Sequence, residues 1–154
     1  MAETMRFEFI AQERIVYQDE VDMVVAPGEN GTLGILPRHA PLMTVIVPGE
    51  VVVKKQGKED RYFAVGGGFM EVRPDKVTLL ARSGEEAESI DIERAKEARK
   101  RAEQLLAEMP PSGEERRQLM EQALIRSKIR LKVAERRRKQ RPSGPVPRAG
   151  EFQE

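Results

Sequence analysis

Between Arg6 and Ala81 the apolar residues alternate with polar ones or fall in short runs, and turn residues interrupt them at close intervals. Period-two alternation places apolar side chains on one side of a β-strand, and clusters of Pro, Gly and Asn end it. The pattern predicts strands at Arg6–Ala11, Ile15–Glu20, Val21–Ala26, Thr32–Ile35, Met43–Val47, Glu50–Lys55, Arg61–Val65, Phe69–Arg73 and Lys76–Ala81. Pro27-Gly28, Asn30-Gly31, Pro48-Gly49, Gly66-Gly67-Gly68 and Pro74-Asp75 punctuate them. Short strands with frequent turns indicate an antiparallel β-sandwich.

Near Ser83 the pattern changes to Ala, Glu, Arg, Lys and Leu, the strong helix formers. Asp91 is placed to cap a helix ending near Met109, with the stripe Ile92, Ala95, Ala98, Ala102, Leu105 and Met109 at spacings of three and four. Pro110-Pro111 stops it. Ser112 and Glu115 form the pattern of a capping box for a second helix, reaching about Gln140 with the stripe Met120, Leu124, Ser127, Leu131 and Ala134. So short a connection implies an antiparallel helical hairpin. The stripes are thin, so the hairpin is expected to be weakly held. The expected organisation is α+β (all-β, then an α hairpin): residues 1–86 a β-sandwich, 87–141 the hairpin, and 142–154 a Pro- and Gly-containing disordered tail.

Composition narrows the functions. Lys and Arg total 27 against 26 Asp and Glu, and a net charge of +1 gives no global pull toward nucleic acid or membrane. There is no Cys and a single His, His39, which leaves no thiolate chemistry and no zinc site of ordinary spacing; no metal is expected. The N-terminus has no signal-peptide core, and no apolar run approaches the ~20 residues of a membrane-spanning helix. The glycine clusters lack the Lys-Ser/Thr of a phosphate-binding loop. No nucleophile has a credible base apart from His39. Assembly, binding and regulation are therefore better supported than catalysis.

Three segments carry a family resemblance. "GENGTLGILPRHAPLMTVIVPGEVVV" (Gly28 to Val53), "YFAVGGGFMEVRPDKVTLLA" (Tyr62 to Ala81) and "IDIERAKEARKRAE" (Ile90 to Glu103) resemble the epsilon subunits of rotary proton-translocating ATP synthases. The resemblance runs in order through residues 5–140. Gly66 stands where the family pattern has Ser, and the tail is longer than usual. The resemblance implies a ten-stranded antiparallel sandwich followed by a helical hairpin. It implies a non-catalytic central-stalk subunit in a hetero-oligomeric complex, peripheral to the cytoplasmic face of a bacterial cell membrane and not inserted in it. Its partners would be the gamma subunit, the c-subunit ring and the beta subunit. The hairpin would lie folded on the sandwich or extend along gamma to restrain ATP hydrolysis.

The resemblance also implies sites, each with a plainer reading beside it. Glu29, Asn30, Gly31 and Thr32 would face the c ring, or form an ordinary polar turn with Gly31 at positive φ. Arg38, His39, Pro41 and Leu42 would touch gamma or the neighbouring sheet, or His39 would be satisfied by local backbone. Glu85, Ile90, Asp91, Arg94 and Ala95, with Arg126 and Arg130 one turn apart on the second helix, match a regulatory ATP site. Otherwise Asp91 caps a helix, and the arginines pair with Glu97 or Glu121. ATP would be a regulatory ligand and no cofactor is required. Arg136, Arg137 and Arg138 would meet an acidic loop of beta in the extended state, an attraction expected to be absent in the folded one. Two rivals are an adaptor binding nucleic acid through its basic helix and a free ATP sensor. Aromatics are 5% of the chain, and the helical half has none before Phe152, which argues against base stacking.

Overall fold

The computed structural model describes residues 3–110 and 112–140. Eight strands come first: β1 (Met5–Ala11), β2 (Arg14–Val21), β3 (Met23–Gly28), β4 (Gly31–Ile35), β5 (Leu42–Lys54), β6 (Arg61–Val72), β7 (Lys76–Ala81) and β8 (Gly84–Glu86). A 3-10 turn, Ala87–Ser89, leads to α1 (Ile92–Glu108) and α2 (Glu114–Gln140). The strands form one hydrogen-bonded path, β2-β1-β7-β6-β5-β3-β4, and β8 adds to β6.

A change of side-chain parity turns this one sheet into a sandwich. In β5, Ile46 is buried while Met43 and Val45 are exposed; beyond Pro48-Gly49 the buried core positions are Val51 and Val53. In β6, Phe63 and Val65 point into the core, but beyond Gly66–Gly68 the core positions are Met70 and Val72. The two changes face each other, for Pro48 pairs with Gly66. An irregular residue on each strand swaps inside for outside and lets the sheet fold over. Gly67 (φ 94°) takes a left-handed conformation there, and a side chain on Gly68 would collide with the carbonyl of Leu80.

Three sequence expectations change. β5 and β6 are continuous through Pro48-Gly49 and Gly66-Gly67-Gly68, which read as strand-ending turns; counting their halves separately brings eight strands to the expected ten. The short β8 carries no alternation and went unread. The pairing of β1 with β7 is parallel, because these strands are far apart in sequence and no hairpin fixes their relative direction.

The core joins Phe7, Phe9, Phe63, Met70 and Leu79, with the Phe9 and Phe63 rings edge to face at 5.6 Å. A second apolar cluster lies on the outside of the sheet. Val52, Tyr62 and Ala64 there meet Ala87, Ile90, Val133 and Ala134, so the hairpin is docked on the sandwich. Asp91 caps α1 as expected, accepting from the Arg94 amide at 3.1 Å. Ala95 and Ala102 are buried, but Ala98 lies to one side of the line joining them and is exposed. α2 starts at Glu114, and its first helical bond runs from the Arg117 amide to the Gly113 carbonyl, so Gly113 replaces Ser112 at the N-cap position. The hairpin has an apolar contact that its stripes did not show. Val133, outside the expected stripe, is fully buried against the sandwich. The expected tail, 142–154, lies outside the described residues.

Candidate functional site

Four surfaces carry exposed chemistry. The first is the β3–β4 hairpin. Gly28 pairs with Gly31 to close it, leaving Glu29 and Asn30 exposed at the tip and Thr32 exposed beside them. Gly31 has φ 126°, the positive value its sequence context implied, and no other atom crowds its Cβ direction.

The second surface is the β4–β5 connection. His39 Nδ1 lies 2.7 Å from the Ala40 carbonyl, the local-backbone arrangement that sequence held open. Arg38 is in the left-handed region (φ 64°), its amide donates to the Pro74 carbonyl at 2.8 Å, and its side chain pairs with Glu3. Pro41 and Leu42 are exposed beside them.

The third surface was missed by sequence reasoning. Register places Ile15 opposite Ile10, Ile10 opposite Leu80, Leu80 opposite Phe69, and Phe69 opposite Val45. This is an apolar row across five adjacent strands, about 19 Å long at the usual strand spacing. Ile15, Leu80, Phe69 and Val45 are 56%, 53%, 58% and 40% exposed, so the row faces solvent instead of the core. The available signal was an apolar residue at polar parity, as in Leu80 after Leu79.

The fourth surface is the junction between sandwich and hairpin. Arg130 reaches Glu85 with a two-pronged bond, Nε to Oε2 at 2.8 Å and its terminal nitrogen to Oε1 at 3.1 Å. Arg137 donates to Glu88 and Glu59, both at 2.9 Å, and these bonds raise its pKa above the ordinary arginine value. Arg136 pairs with Glu50 and stacks over the Tyr62 ring, 5.4 Å from its centre. The folded hairpin thus has its own acidic partners for Arg136 and Arg137. That corrects the expectation that such attraction is absent from the folded state. The partners of Arg136 and Arg137 were not found by sequence because Glu50, Glu59 and Glu88 come together only through β5, the β5–β6 loop and the 3-10 turn. Arg138 is exposed. Burial pushes the Glu50 carboxyl above the usual carboxylate range, against the pull of Arg136 and Lys132; its Oε2 has no partner among the described residues.

A cleft of about 880 Å³ opens at this junction, lined among others by Arg14, Arg82, Glu85, Ser89, Arg126 and Arg130. The structure therefore brings together Glu85, Arg126 and Arg130 from the expected ATP-site residues. Asp91 and Arg94 do not line this cleft: Asp91 is the helix cap and Arg94 is exposed on α1. Ile90 is buried in the outer apolar cluster and Ala95 is buried on α1. Glu121 pairs with Arg117 at 3.6 Å and with neither candidate arginine.

A sandwich folded from one sheet, with a helical hairpin docked on its outer side, defines a two-part α+β architecture. The comparisons make the class specific. Residues 4–87 match the family "ATP synthase, Delta/Epsilon chain, beta-sandwich domain", and residues 88–135 match "ATP synthase, Delta/Epsilon chain, long alpha-helix domain". The ATP synthase epsilon chain of Dehalococcoides mccartyi is 50% identical over 135 residues, which is 88% of this chain and 95% of that one. Those of Herpetosiphon aurantiacus and Moorella thermoacetica are 46% and 44% identical, over 87% and 85% of this chain and 96% of each relative. The chain belongs to the ATP synthase delta/epsilon family. Among solved structures, a chain of the Euglena gracilis mitochondrial ATP synthase (OSCP/F1/c-ring, rotational state 1) superposes with a TM-score of 0.63 at 19% identity. The match covers 88% of this chain and 80% of that one, and at this identity it speaks for the fold alone. Among the described residues no helix is long and apolar enough to cross a membrane.

Proposed function

We propose that this chain is the non-catalytic epsilon subunit of a proton-translocating ATP synthase, a central-stalk subunit that joins gamma to the c ring and restrains ATP hydrolysis. The observation that carries the reading is the exposed apolar row Ile15–Ile10–Leu80–Phe69–Val45. Four of its five side chains are large, apolar and solvent-facing, which a free soluble chain gains nothing from and a docking surface requires. In this reading gamma covers the row, with Arg38, His39, Pro41 and Leu42 at its margin, and the Glu29–Thr32 hairpin tip meets the c ring. The complex holds the chain peripherally at the cytoplasmic face of a bacterial membrane.

The hairpin, residues 87–141, is the regulatory part, and the sandwich, residues 1–86, is the assembly part. Partly buried charged pairs and a small outer apolar cluster join them, a contact suited to release. On release, Arg136, Arg137 and Arg138 exchange the sandwich carboxylates for an acidic segment of beta, and the extended hairpin blocks hydrolysis. ATP acts as a regulatory ligand of the docked form. Glu85, Arg126 and Arg130 converge in the cleft, while Ile90, Asp91, Arg94 and Ala95 shape the adjoining start of α1. Titration against purified gamma tests the assembly role. Leu80→Asp with Phe69→Asp abolishes a stoichiometric complex that the wild-type chain forms. Unchanged binding by the doubly charged variant, folded by circular dichroism, removes the row as the gamma surface.

A further inference from the structure

The register that builds the apolar row also fixes the row beside it. Met43 pairs with Glu71, Glu71 with Thr78, and Thr78 with Glu8. Residues two apart on a strand share a face, so Met43 stands next to Val45 and this second row runs alongside the first. Glu71, Thr78 and Glu8 are polar, and Met43 alone continues the apolar surface across the boundary.

Met43 is also set apart from the other methionines. It is 66% exposed, while Met5 and Met70 are buried in the core and Met23, Met109 and Met120 are largely covered. Among the described residues it is the one methionine that presents its thioether to solvent. Exposure decides which thioether a peroxide reaches. The Met43 sulfur attacks one peroxide oxygen, an S–O bond forms and the O–O bond breaks. The departing oxygen takes the proton of the transferred one and leaves as water. Sulfur loses two electrons and the peroxide gains them.

The sulfoxide carries a strong hydrogen-bond acceptor where the thioether had a weak one. In the free chain water satisfies that oxygen, and Met43 lies outside the core cluster, so the sandwich keeps its fold. Under a partner that covers the row, the same oxygen is taken from water without a donor, which costs binding free energy.

We propose that Met43 is an oxidation site at the margin of the docking surface, where a peroxide converts an apolar contact into a polar one and weakens association with gamma without unfolding the chain. The effect on association rests on the reading of the apolar row as the gamma surface; the position of the oxidation does not. Reduction of the sulfoxide restores the original surface, so the change is reversible.

The test treats the full-length chain with limiting hydrogen peroxide and follows mass, fold and binding to purified gamma. Met43→Leu is treated in parallel, since Leu is close to Met in volume and has no sulfur. The expected product carries one added oxygen, found in the tryptic peptide His39–Lys54, whose one methionine is Met43. Its circular dichroism matches that of the untreated chain. It binds gamma about tenfold or more weakly than the untreated chain, as a buried acceptor without a donor requires. Methionine sulfoxide reductase restores the affinity, and Met43→Leu has the same affinity before and after peroxide. Oxidation that falls first on other methionines overturns the site. Equal weakening of peroxide-treated Met43→Leu also overturns it, because the damage then lies elsewhere. Unchanged gamma binding by chain oxidised at Met43, with Leu80→Asp/Phe69→Asp abolishing it, overturns the proposal and leaves the gamma reading in place. If the untreated chain binds no gamma, the gamma reading falls and the proposal falls with it.

Discussion

Two glycines show how one residue type serves different ends. Gly31 needs freedom of φ but has open space around it, so Gly31→Val strains only its own backbone, by about 1–3 kcal/mol. Gly68 needs the space itself, because any Cβ there meets the Leu80 carbonyl across the β6–β7 ladder. Gly68→Ala is expected to destabilise the chain by about 3 kcal/mol or more through overpacking against backbone that cannot move aside. Urea unfolding ranks the two: Gly68→Ala lowers the midpoint further than Gly31→Val. If the hairpin tip meets the ring as proposed, Gly31→Val is expected to have its larger effect on proton-driven ATP synthesis by the assembled complex, and normal synthesis by that variant separates the tip from the ring. Glu50 gives a less obvious prediction. Its folded-state pKa is raised by burial, so the docked form retains a proton over a window above the ordinary carboxylate value. Its contribution to docking is full below that window and is lost as pH rises through the raised pKa. Glu50→Gln removes the burial cost of the carboxylate together with the charged partner of Arg136, so it is expected to change docking little at neutral pH. Glu85→Gln is expected to weaken it by about 1 kcal/mol, since the paired Arg130 loses a charged partner. Protection of α2 amides from hydrogen exchange in the two variants reads the difference.

At the scale of elements, α2 explains most of what sequence patterning reached and missed. Met120, Leu124, Ser127, Leu131 and Ala134 form a legible stripe at helical spacing, and all are at least half-buried. Ile129 and Val133 belong to a second contact, against Val52, Tyr62 and Ala64, and are flanked by Lys128, Arg130 and Lys132. A helix touching two neighbours spreads its apolar positions around its circumference, so one-face periodicity understates its burial. Val133→Ala removes two methyl groups from that second contact, about 1.5 kcal/mol at the usual value per buried carbon. α2 amides are then expected to exchange about tenfold faster while core strands stay protected. Equal acceleration in β1 and β7 means that hairpin and sandwich open as one unit. The strands tell a related story. Pro48-Gly49 and Gly66–Gly68 are legible as interruptions, but their meaning as a parity switch inside continuous strands depends on their lying opposite each other. The candidate site was legible as Glu85, Arg126 and Arg130 through the family pattern. Arg14 and Arg82 were not, because nothing local distinguishes an arginine beside a cleft from one in solvent.

For the whole molecule, the core of the sandwich is assembled from β1 to β7 without a side chain from α1 or α2. Deleting residues 110–154 is therefore expected to leave cooperative thermal unfolding, with gamma binding retained and ATP hydrolysis by the reconstituted head increased. Broad, non-cooperative melting of the truncated chain denies the sandwich independence, and unchanged hydrolysis denies the hairpin its inhibitory part. The same architecture bears on how the chain carries load. β5 and β6 are 13 and 12 residues long and remain paired through the bend. Their hydrogen bonds lie across the strand direction, so a pull along the strands is shared by many bonds together instead of opening them in succession. The apolar row crosses one end of this pair at Val45 and Phe69, and the hairpin rests on the other at Val52 and Tyr62. A tug applied at the row travels to the helices along unbroken backbone, and the strand pair acts as a stiff strut between the two surfaces.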